Sequence, residues 1–318
     1  MTAQFEEIAL SYRPSGSLDP VAAQIAEMFS ASPFSASPVE DTRAAIRAAT
    51  VVTGEPALER VEDFAVPVKG GEIALRLYAP DEMPRAIIVW AHGGGFALGS
   101  LDELDNFARL LAKSSRCAVA SVEYRLAPEY PFPTAVEDVE AAALWVSARC
   151  KELAGSDVPL VLGGDSAGGN LATVVTRRLH NSGAARIVGN VLAYPCTDSP
   201  DAASLTQFAP PFMPVDDIRF FLDLYLPNEE AKRHPDFAPL YAEGLDKLPP
   251  TLILTAEHDI ITGQAEQYGQ ALKAHGVSTQ VSCYEGMIHG FLTLDPFFPG
   301  AAGEAIGEIG QFVSKLGS

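Results

Sequence analysis

The amino-acid sequence predicts an α/β fold with a mostly parallel central sheet flanked by helices. Short apolar runs of strand length alternate with longer segments whose apolar residues recur at helical spacing. Continuous apolar runs are typical of strands buried on both faces, as in parallel sheets. Because helices separate successive strands, they are expected to cover both faces of the sheet. With 318 residues, 47% of them hydrophobic, the chain is long enough to bury a large core.

Two helices with an apolar face are predicted before this alternation begins. Asp19 and Pro20 supply an N-cap and a first-turn proline for one of them. Residues 37–40, Ser-Pro-Val-Glu, have the pattern of a capping box for the other, and Gly54 is expected to end it. Because neither helix alternates with strands, both are expected outside the sheet, either on its flank or above a pocket.

The strands are predicted from the apolar period and from the turn residues between them. A hairpin is expected first, over Val61–Val68 and Glu72–Ala79. A proline-rich and aromatic-rich insertion at 196–248, with one helix near Val215–Leu226, later interrupts the alternation. The predicted buried strands are Ala86–Ala91, Cys117–Val122, the run that ends at Leu162, Ile187–Ala193, Thr251–Ala256 and Thr279–Tyr284.

The stretch Gly-Asp-Ser-Ala-Gly at 164–168 predicts a sharp turn between a strand and a helix, with Ser166 at its apex. Glycines two residues to either side let the strand and the helix pass closely, while the serine takes a strained conformation. The first N–H groups of the helix are unpaired and can meet a developing negative charge. Ser166 is therefore a candidate nucleophile, and the N–H of Ala167 is a candidate donor to an oxyanion.

A serine nucleophile also needs a base and an acid that orients the base. In such a sheet the expected order along the chain is serine, acid, histidine. Of the six histidines, only His289 lies in a loop just after the last strand. The preceding strand delivers Glu257 and Asp259, which point to opposite sides of the chain. We favour Asp259 as the acid; Asp198, after an earlier strand, is a weaker candidate.

Three consecutive glycines, Gly93, Gly94 and Gly95, follow His92 at the end of a predicted buried strand. Without side chains in the way, their backbone N–H groups can turn toward an oxyanion, together with that of Ala167. A glycine-rich loop alone is common. Here, however, the loop occurs together with the serine turn, the acid and the histidine, and each of these follows the strand expected for it. This combination predicts an oxyanion hole.

Composition argues against several other classes of protein. The net charge of −19 disfavours nucleic acid and anionic membranes as partners. The glycine stretches do not fit the dinucleotide pattern, and residues 257–259, Glu-His-Asp, have no partner cluster that would complete a metal site. We therefore expect neither a metal nor a cofactor.

The sequence also predicts a cytoplasmic protein. The four cysteines are scattered, with no CxxC pair, which is usual for reduced thiols in a reducing compartment. The first ten residues lack the features of a signal peptide, and no apolar run reaches membrane-spanning length.

Three motifs together resemble the hormone-sensitive-lipase-like family of α/β-hydrolase carboxylesterases, also called bacterial family IV esterases. They are HGGG at 92–95, YRLAPE at 124–129 and GDSAGG at 164–169. The similarity runs from about residue 70 to the C-terminus. It implies the α/β-hydrolase fold and hydrolysis of small-molecule acyl esters of short to medium length. It also implies that dimers are frequent, so a homodimer is a possible state.

Carried over to this sequence, the resemblance implies specific roles and a second structural part. Ser166 is the nucleophile, Asp259 the acid and His289 the base, with an oxyanion hole at Gly93, Gly94, Gly95 and Ala167. The resemblance further implies a helical cap, which we place at 1–60 and 196–248, with the catalytic core at 61–195 and 249–318. Bulky apolar residues off the sheet are expected to pack this cap on the core and to wall an acyl pocket; they are Met28, Phe29, Phe34, Phe208, Phe212, Met213, Phe220 and Phe221, joined by Phe96 and Phe291.

One segment departs from the family, which usually has DPLRDE after the acid. Here residues 259–264 are Asp-Ile-Ile-Thr-Gly-Gln, so the acid is kept while the proline and the charges behind it are absent. Arg125, Glu129 and Asp138 are expected to form an ionic network that braces the sheet. Two alternatives stay open: an amidase or acyltransferase with the same triad, and a non-catalytic ligand-binding protein of the same fold.

Overall fold

In the computed structural model, residues 11–316 are described, and their centre is an eight-stranded sheet. The strand order is β1-β2-β4-β3-β5-β6-β7-β8. β2 pairs antiparallel with both β1 and β4, and the other neighbours pair parallel. The strands are β1 (Arg60–Val68), β2 (Gly71–Ala79), β3 (Ile87–Ala91), β4 (Ala118–Val122), β5 (Leu160–Asp165), β6 (Ile187–Ala193), β7 (Thr251–Ala256) and β8 (Thr279–Tyr284).

Helices pack on both faces of this sheet because the strands in its middle are apolar on both sides. Along β3, Ile87 and Val89 join one hydrophobic cluster with α4, α6 and α8, whereas Ile88 and Trp90 join a second cluster with α1, α3 and α9. The predicted α/β fold is confirmed. The helices are α1 (Pro20–Ser30), α2 (Val39–Ala49), α3 (Asp105–Ser115), α4 (Thr134–Ala148), α5 (Cys150–Ala154), α6 (Ala167–Ser182), α7 (Val215–Tyr225), α8 (Thr262–Ala274) and α9 (Pro299–Ser314).

The parallel strands end at the same edge of the sheet, and the loops that follow β3, β5, β7 and β8 meet there. The glycine loop follows β3, Ser166 follows β5, Asp259 follows β7 and His289 follows β8. Topology alone therefore brings four segments that are far apart in sequence to one place.

The ends of the N-terminal helices agree only in part with the sequence prediction. Asp19 caps α1 as predicted, because its side chain accepts hydrogen bonds from the N–H groups of Val21 and Ala22. The expected capping box of α2 does not form, since Pro38 occupies the N-cap position and no side chain caps it. α2 also ends before Gly54: the chain becomes extended at Thr50, whose hydroxyl donates to the Ile46 carbonyl.

The predicted ionic network is wrong at Glu129. Arg125 pairs with the fully buried Asp138, at 2.6 Å between Nη2 and Oδ1. Glu129 instead pairs with Arg43 of α2, at 2.6 Å between Oε1 and Nη1. The Arg43 Nε also donates to the carbonyl of Ala97, just beyond the glycine loop, at 2.8 Å. One arginine thus fastens an N-terminal helix to the core beside the predicted site.

Candidate active site

Ser166 lies at a strained turn between β5 and α6. Its backbone has φ 54° and ψ −116°, a region that residues with a side chain rarely adopt. The turn is possible because Gly164 and Gly168 carry no side chains. A Cβ on Gly168 would lie 1.9 Å from the carbonyl oxygen of Ala91, and one on Gly164 would lie 2.3 Å from the backbone of Gly168. The strand and the helix therefore approach to backbone contact, which presents the serine hydroxyl above the sheet.

The structure brings Ser166, His289 and Asp259 into one hydrogen-bonded chain. The His289 Nε2 lies 2.8 Å from the Ser166 Oγ, and its Nδ1 lies 2.6 Å from the Asp259 Oδ2. Both His289 and Asp259 are buried, and the Tyr194 ring packs against the imidazole with 4.8 Å between ring centroids. The other Asp259 oxygen accepts the N–H of Ile261 at 3.1 Å, which holds the carboxylate in this orientation.

Glu257 and Asp198, the two carboxylates less favoured as the acid, bind other groups. Glu257 accepts hydrogen bonds from the backbone N–H groups of Ser15, Gly16 and Gly286. Burial would raise the pKa of Glu257, but these three donors outweigh it and lower the pKa below its ordinary value. Asp198 accepts the hydroxyl of Tyr241 at 2.6 Å. Both carboxylates are thus engaged in contacts that lead away from the imidazole.

The three glycines lie on the wall of the cavity that also contains Ser166, Ala167 and His289. Gly94 and Gly95 have φ of 102° and 60°, and a Cβ on Gly94 would lie 2.3 Å from the carbonyl oxygen of Leu98. Glycine is therefore required for this tight turn. Ala167 is the first residue of α6, where backbone N–H groups have no partner within the helix. The predicted oxyanion donors and the serine face the same space.

Sequence reasoning missed the buried residues that hold the glycine loop. His92 bonds through Nδ1 to the Gly93 carbonyl at 2.7 Å and stacks on Tyr124 at 4.2 Å between ring centroids. Burial lowers the pKa of His92 to about 4, so the ring is neutral at pH 7 and Nδ1 is the donor. The Tyr124 hydroxyl donates to the His92 carbonyl at 2.8 Å. Both residues belong to the HGGG and YRLAPE motifs, so the sequence did carry a signal for them.

Asp165 supports the same loop from the serine turn. The Trp90 Nε1 donates to its Oδ1 at 3.1 Å, and the backbone N–H of Gly93 bonds to the same carboxyl group. Its Oδ2 would lie 2.4 Å from a Cβ on Gly93. Burial raises the pKa of Asp165 to about 6, although the hydrogen bond from Trp90 opposes this shift. The residue beside the nucleophile is therefore a structural contact between the glycine loop and the turn.

A cavity of about 230 Å³ opens above Ser166. Its apolar walls come largely from outside the sheet; they include Phe34, Ile46, Phe212, Met213, Ile218, Phe221 and Leu222, together with Phe96 and Leu98 beyond the glycine loop. Five of the ten bulky residues named from the sequence lie outside this lining. Met28 and Phe29 line a neighbouring groove between α1 and α2, Phe208 packs against Tyr12, Phe220 packs against Phe221, and Phe291 packs in the core against Tyr194 and Tyr284.

Two features are absent from residues 11–316. No group of three or more His, Cys, Asp or Glu side chains in that range is arranged to hold a metal ion. Nor does any helix in the same range combine the length and the apolar character needed to cross a membrane.

The fold and the site define a class of protein, the α/β hydrolases. The sequence model of the alpha/beta hydrolase fold family matches residues 88–293. That match covers more than half of the chain, which therefore belongs to this family. Within it, the chain is a member of the hormone-sensitive-lipase-like branch, as its three motifs predict.

Its relatives in this family are esterases. Carboxylesterase NlhH of Mycobacterium tuberculosis is 35% identical over 300 residues, which cover 91% of this chain and 93% of NlhH. The arylesterase of Saccharolobus solfataricus is 33% identical over 237 residues, which cover 72% of this chain and 76% of the arylesterase. A hyperthermophilic esterase from the archaeon Pyrobaculum calidifontis superposes with a TM-score of 0.86 at 33% identity, over 95% of this chain and 99% of that one. The chain therefore belongs among the esterases of the family.

The close approach at the serine turn yields a first prediction. Gly168→Ala forces a methyl group into the Ala91 carbonyl, so we expect a loss of about 1–3 kcal/mol in the free energy of unfolding, with reduced activity toward a p-nitrophenyl ester. Urea denaturation and initial rates measure both effects. Gly300→Ala is the matched control, because nothing lies within 4 Å of a Cβ at Gly300. Unchanged stability and rate in Gly168→Ala would mean that the crossing is looser than described.

Proposed function

We propose that this protein hydrolyses short- to medium-chain carboxylic esters through an acyl-enzyme formed on Ser166. The observation that carries the proposal is the unbroken hydrogen-bonded chain from Asp259 through His289 to Ser166, at 2.6 and 2.8 Å. This chain lies at the floor of a cavity whose walls are mainly apolar. The esterase relatives support the same reaction class.

In the proposed reaction, the neutral His289 takes the Ser166 proton at Nε2 while the serine oxygen attacks the ester carbonyl. His289 then gives this proton to the leaving alkoxide, and the alcohol departs. Water repeats the sequence on the acyl-enzyme, which releases the carboxylic acid and restores Ser166. Asp259 accepts the Nδ1–H of His289, which fixes the tautomer and stabilises the imidazolium. No cofactor is needed for these steps.

The negative charge on the carbonyl oxygen is assigned to backbone N–H groups. Gly94 and Gly95, with Gly93 adjacent, offer donors from one side, and Ala167 offers one from the first turn of α6. Buried contacts hold both sides in place before substrate binds, so little reorganisation is required during the reaction. The contact between Asp165 and Gly93 fixes the distance between the two sides.

The acyl group is assigned to the apolar cavity above Ser166. The N-terminal helices and the 196–248 segment form the roof of this cavity. Each methylene that enters gains roughly 0.8 kcal/mol until the space is full. A cavity of about 230 Å³ is small by the standard of ligand sites. The volume therefore favours short and medium acyl chains over long ones.

Removal of the nucleophile tests the chemistry directly. We expect Ser166→Ala to lower kcat by about 10⁴–10⁶ while the protein stays folded, because no covalent intermediate can form. Circular dichroism and kcat for a p-nitrophenyl ester check this prediction. Ser182→Ala, which removes a hydroxyl near the other end of the same helix, should keep wild-type activity. A folded Ser166→Ala variant with a tenth of wild-type activity would rule out the acyl-enzyme.

The two carboxylates after β7 should differ sharply in their effect on kcat. Asp259→Asn leaves His289 without its acceptor and favours the wrong tautomer, so we expect a loss of up to about 10⁴ in kcat. Glu257→Gln removes no contact to the imidazole, so its loss should not exceed about a hundredfold. Steady-state kinetics of the two folded variants decide between them. The reverse order of damage would make Glu257 the catalytic acid.

The size of the cavity sets the preferred acyl length. With p-nitrophenyl esters from acetyl to dodecanoyl, kcat/KM should rise to butyryl or hexanoyl and then fall. An amide and a lactone are included in the panel to test the reaction type. Phe221→Ala enlarges the cavity and should move the optimum to longer chains. Phe220→Ala, its neighbour outside the cavity lining, is the control and should leave the optimum in place. A profile that keeps rising to dodecanoyl would contradict the assignment of the cavity.

A further inference from the structure

We propose that Glu257 is a positioning residue that clamps an N-terminal strap, residues 12–19, onto the two loops that carry Asp259 and His289. The inference rests on the proposed function, because it concerns the geometry of the same three residues. Three chain segments that are distant in sequence meet at this one carboxylate: the strap, the end of β7 and the loop after β8.

The first carboxylate oxygen binds the strap. The Glu257 Oε1 accepts the backbone N–H of Ser15 at 2.9 Å and that of Gly16 at 2.5 Å, with the Ser15 hydroxyl at 3.3 Å. The Tyr12 hydroxyl donates to the Glu257 carbonyl at 2.8 Å. A Cβ on Gly16 would lie 2.6 Å from the Glu257 Oε2, so the strap and the carboxylate fit without spare room.

The second oxygen binds the loop that ends in His289. The Glu257 Oε2 accepts the N–H of Gly286 at 2.8 Å, three residues before the histidine. The Gly286 carbonyl in turn accepts the N–H of Asp19, at the end of the strap, at 3.0 Å. The next residue after the glutamate, His258, donates its backbone N–H to the carbonyl of Met287 at 2.8 Å. The strap and the two loops are therefore cross-linked on both sides of the carboxylate.

These contacts lie close enough to the catalytic residues to set their geometry. Glu257 precedes Asp259 by two residues, and Gly286 precedes His289 by three. The strap leads into α1, whose inner residues Ala22 and Ile25 share a hydrophobic cluster with Ile288. The N-terminal segment and the residue adjoining the histidine thus belong to one buried cluster. A misplacement of about 1 Å at such a site costs as much as a hundredfold in rate.

An ionised carboxylate suits this role better than a neutral group. Glu257 is 5% exposed and serves three backbone donors from two segments. Hydrogen bonds to a charged acceptor are stronger than neutral ones. A glutamine has the same shape, but one of its two ends is an NH₂ donor. Whichever way it turns, it presents that donor to a backbone N–H of the strap or of the histidine loop.

The test compares two variants that disturb the clamp from opposite sides. Glu257→Gln changes the carboxylate, and Gly16→Ala places a methyl group against it from the side of the strap. We expect each to lower kcat by about ten- to a hundredfold, with KM changed less than about twofold. Because both act on one clamp, the double variant should be scarcely slower than the worse single variant. Glu285→Gln, an exposed neighbour, and Gly303→Ala, with open space around its Cβ, are the controls.

Labelling of the active-site serine by a fluorophosphonate separates this inference from the proposed function. If the wild-type protein is not labelled at Ser166, the proposed function fails. If it is labelled, and the labelling rate of both single variants falls by the same factor as kcat, the clamp is supported. If the variants are folded and lose thermal stability, yet keep wild-type kcat and labelling rate, Glu257 has only a structural role. Multiplicative losses in the double variant would likewise overturn the clamp.

Discussion

The backbone contacts of α6 with the ends of β5 and β3 are the constraint on which the rest of the site depends. Gly168 approaches the Ala91 carbonyl so closely that a methyl group cannot be inserted, and this approach forces Ser166 into its strained conformation. The same contact sets the height of the serine above the end of β3, where the glycine loop begins. This strain at one residue is tolerated because the packing of the whole helix on the sheet holds the serine in that conformation.

Buried polar groups then position the two halves of the site relative to each other. Asp165 connects the serine turn to Gly93, while His92 and Tyr124 hold the loop from behind. Burial shifts the pKa of Asp165 up to about 6 and that of His92 down to about 4, because both charged forms lose their hydration. These groups are retained despite that cost, since each fixes backbone donors that must be in place before a substrate binds.

The residues outside the sheet complete the site by two different kinds of contact. Apolar side chains of α2, α7 and the turn before α2 roof the cavity above Ser166. Polar contacts fasten the same N-terminal segment at two points, through Arg43 beside the glycine loop and through Glu257 beside the acid and histidine loops. The burial of apolar side chains stabilises the packing of this segment but is not directional. The hydrogen bonds are directional and therefore fix its position. In the proposed enzyme, the N-terminal segment would therefore affect both the shape of the pocket and the alignment of the catalytic residues.

Much of this could be predicted from the sequence, because the decisive signals are local. The alternation of strands and helices, the glycines around Ser166 and the place of His289 after the last strand depend on residues within a few positions of each other, and together they predicted the fold and the candidate residues. The contact of Glu257 with Ser15 and the ion pair of Glu129 with Arg43 could not be predicted, because each joins residues that are more than 80 positions apart in the chain. Nor does spacing show which bulky residues wall the cavity, as Phe291, buried in the core, illustrates. The sequence by itself determined the order of strands and helices and the candidate residues that follow the strands, although β5 extends to Asp165 rather than ending at Leu162. Only the tertiary structure decided which distant segments close over these residues, since long-range contacts depend on packing in three dimensions.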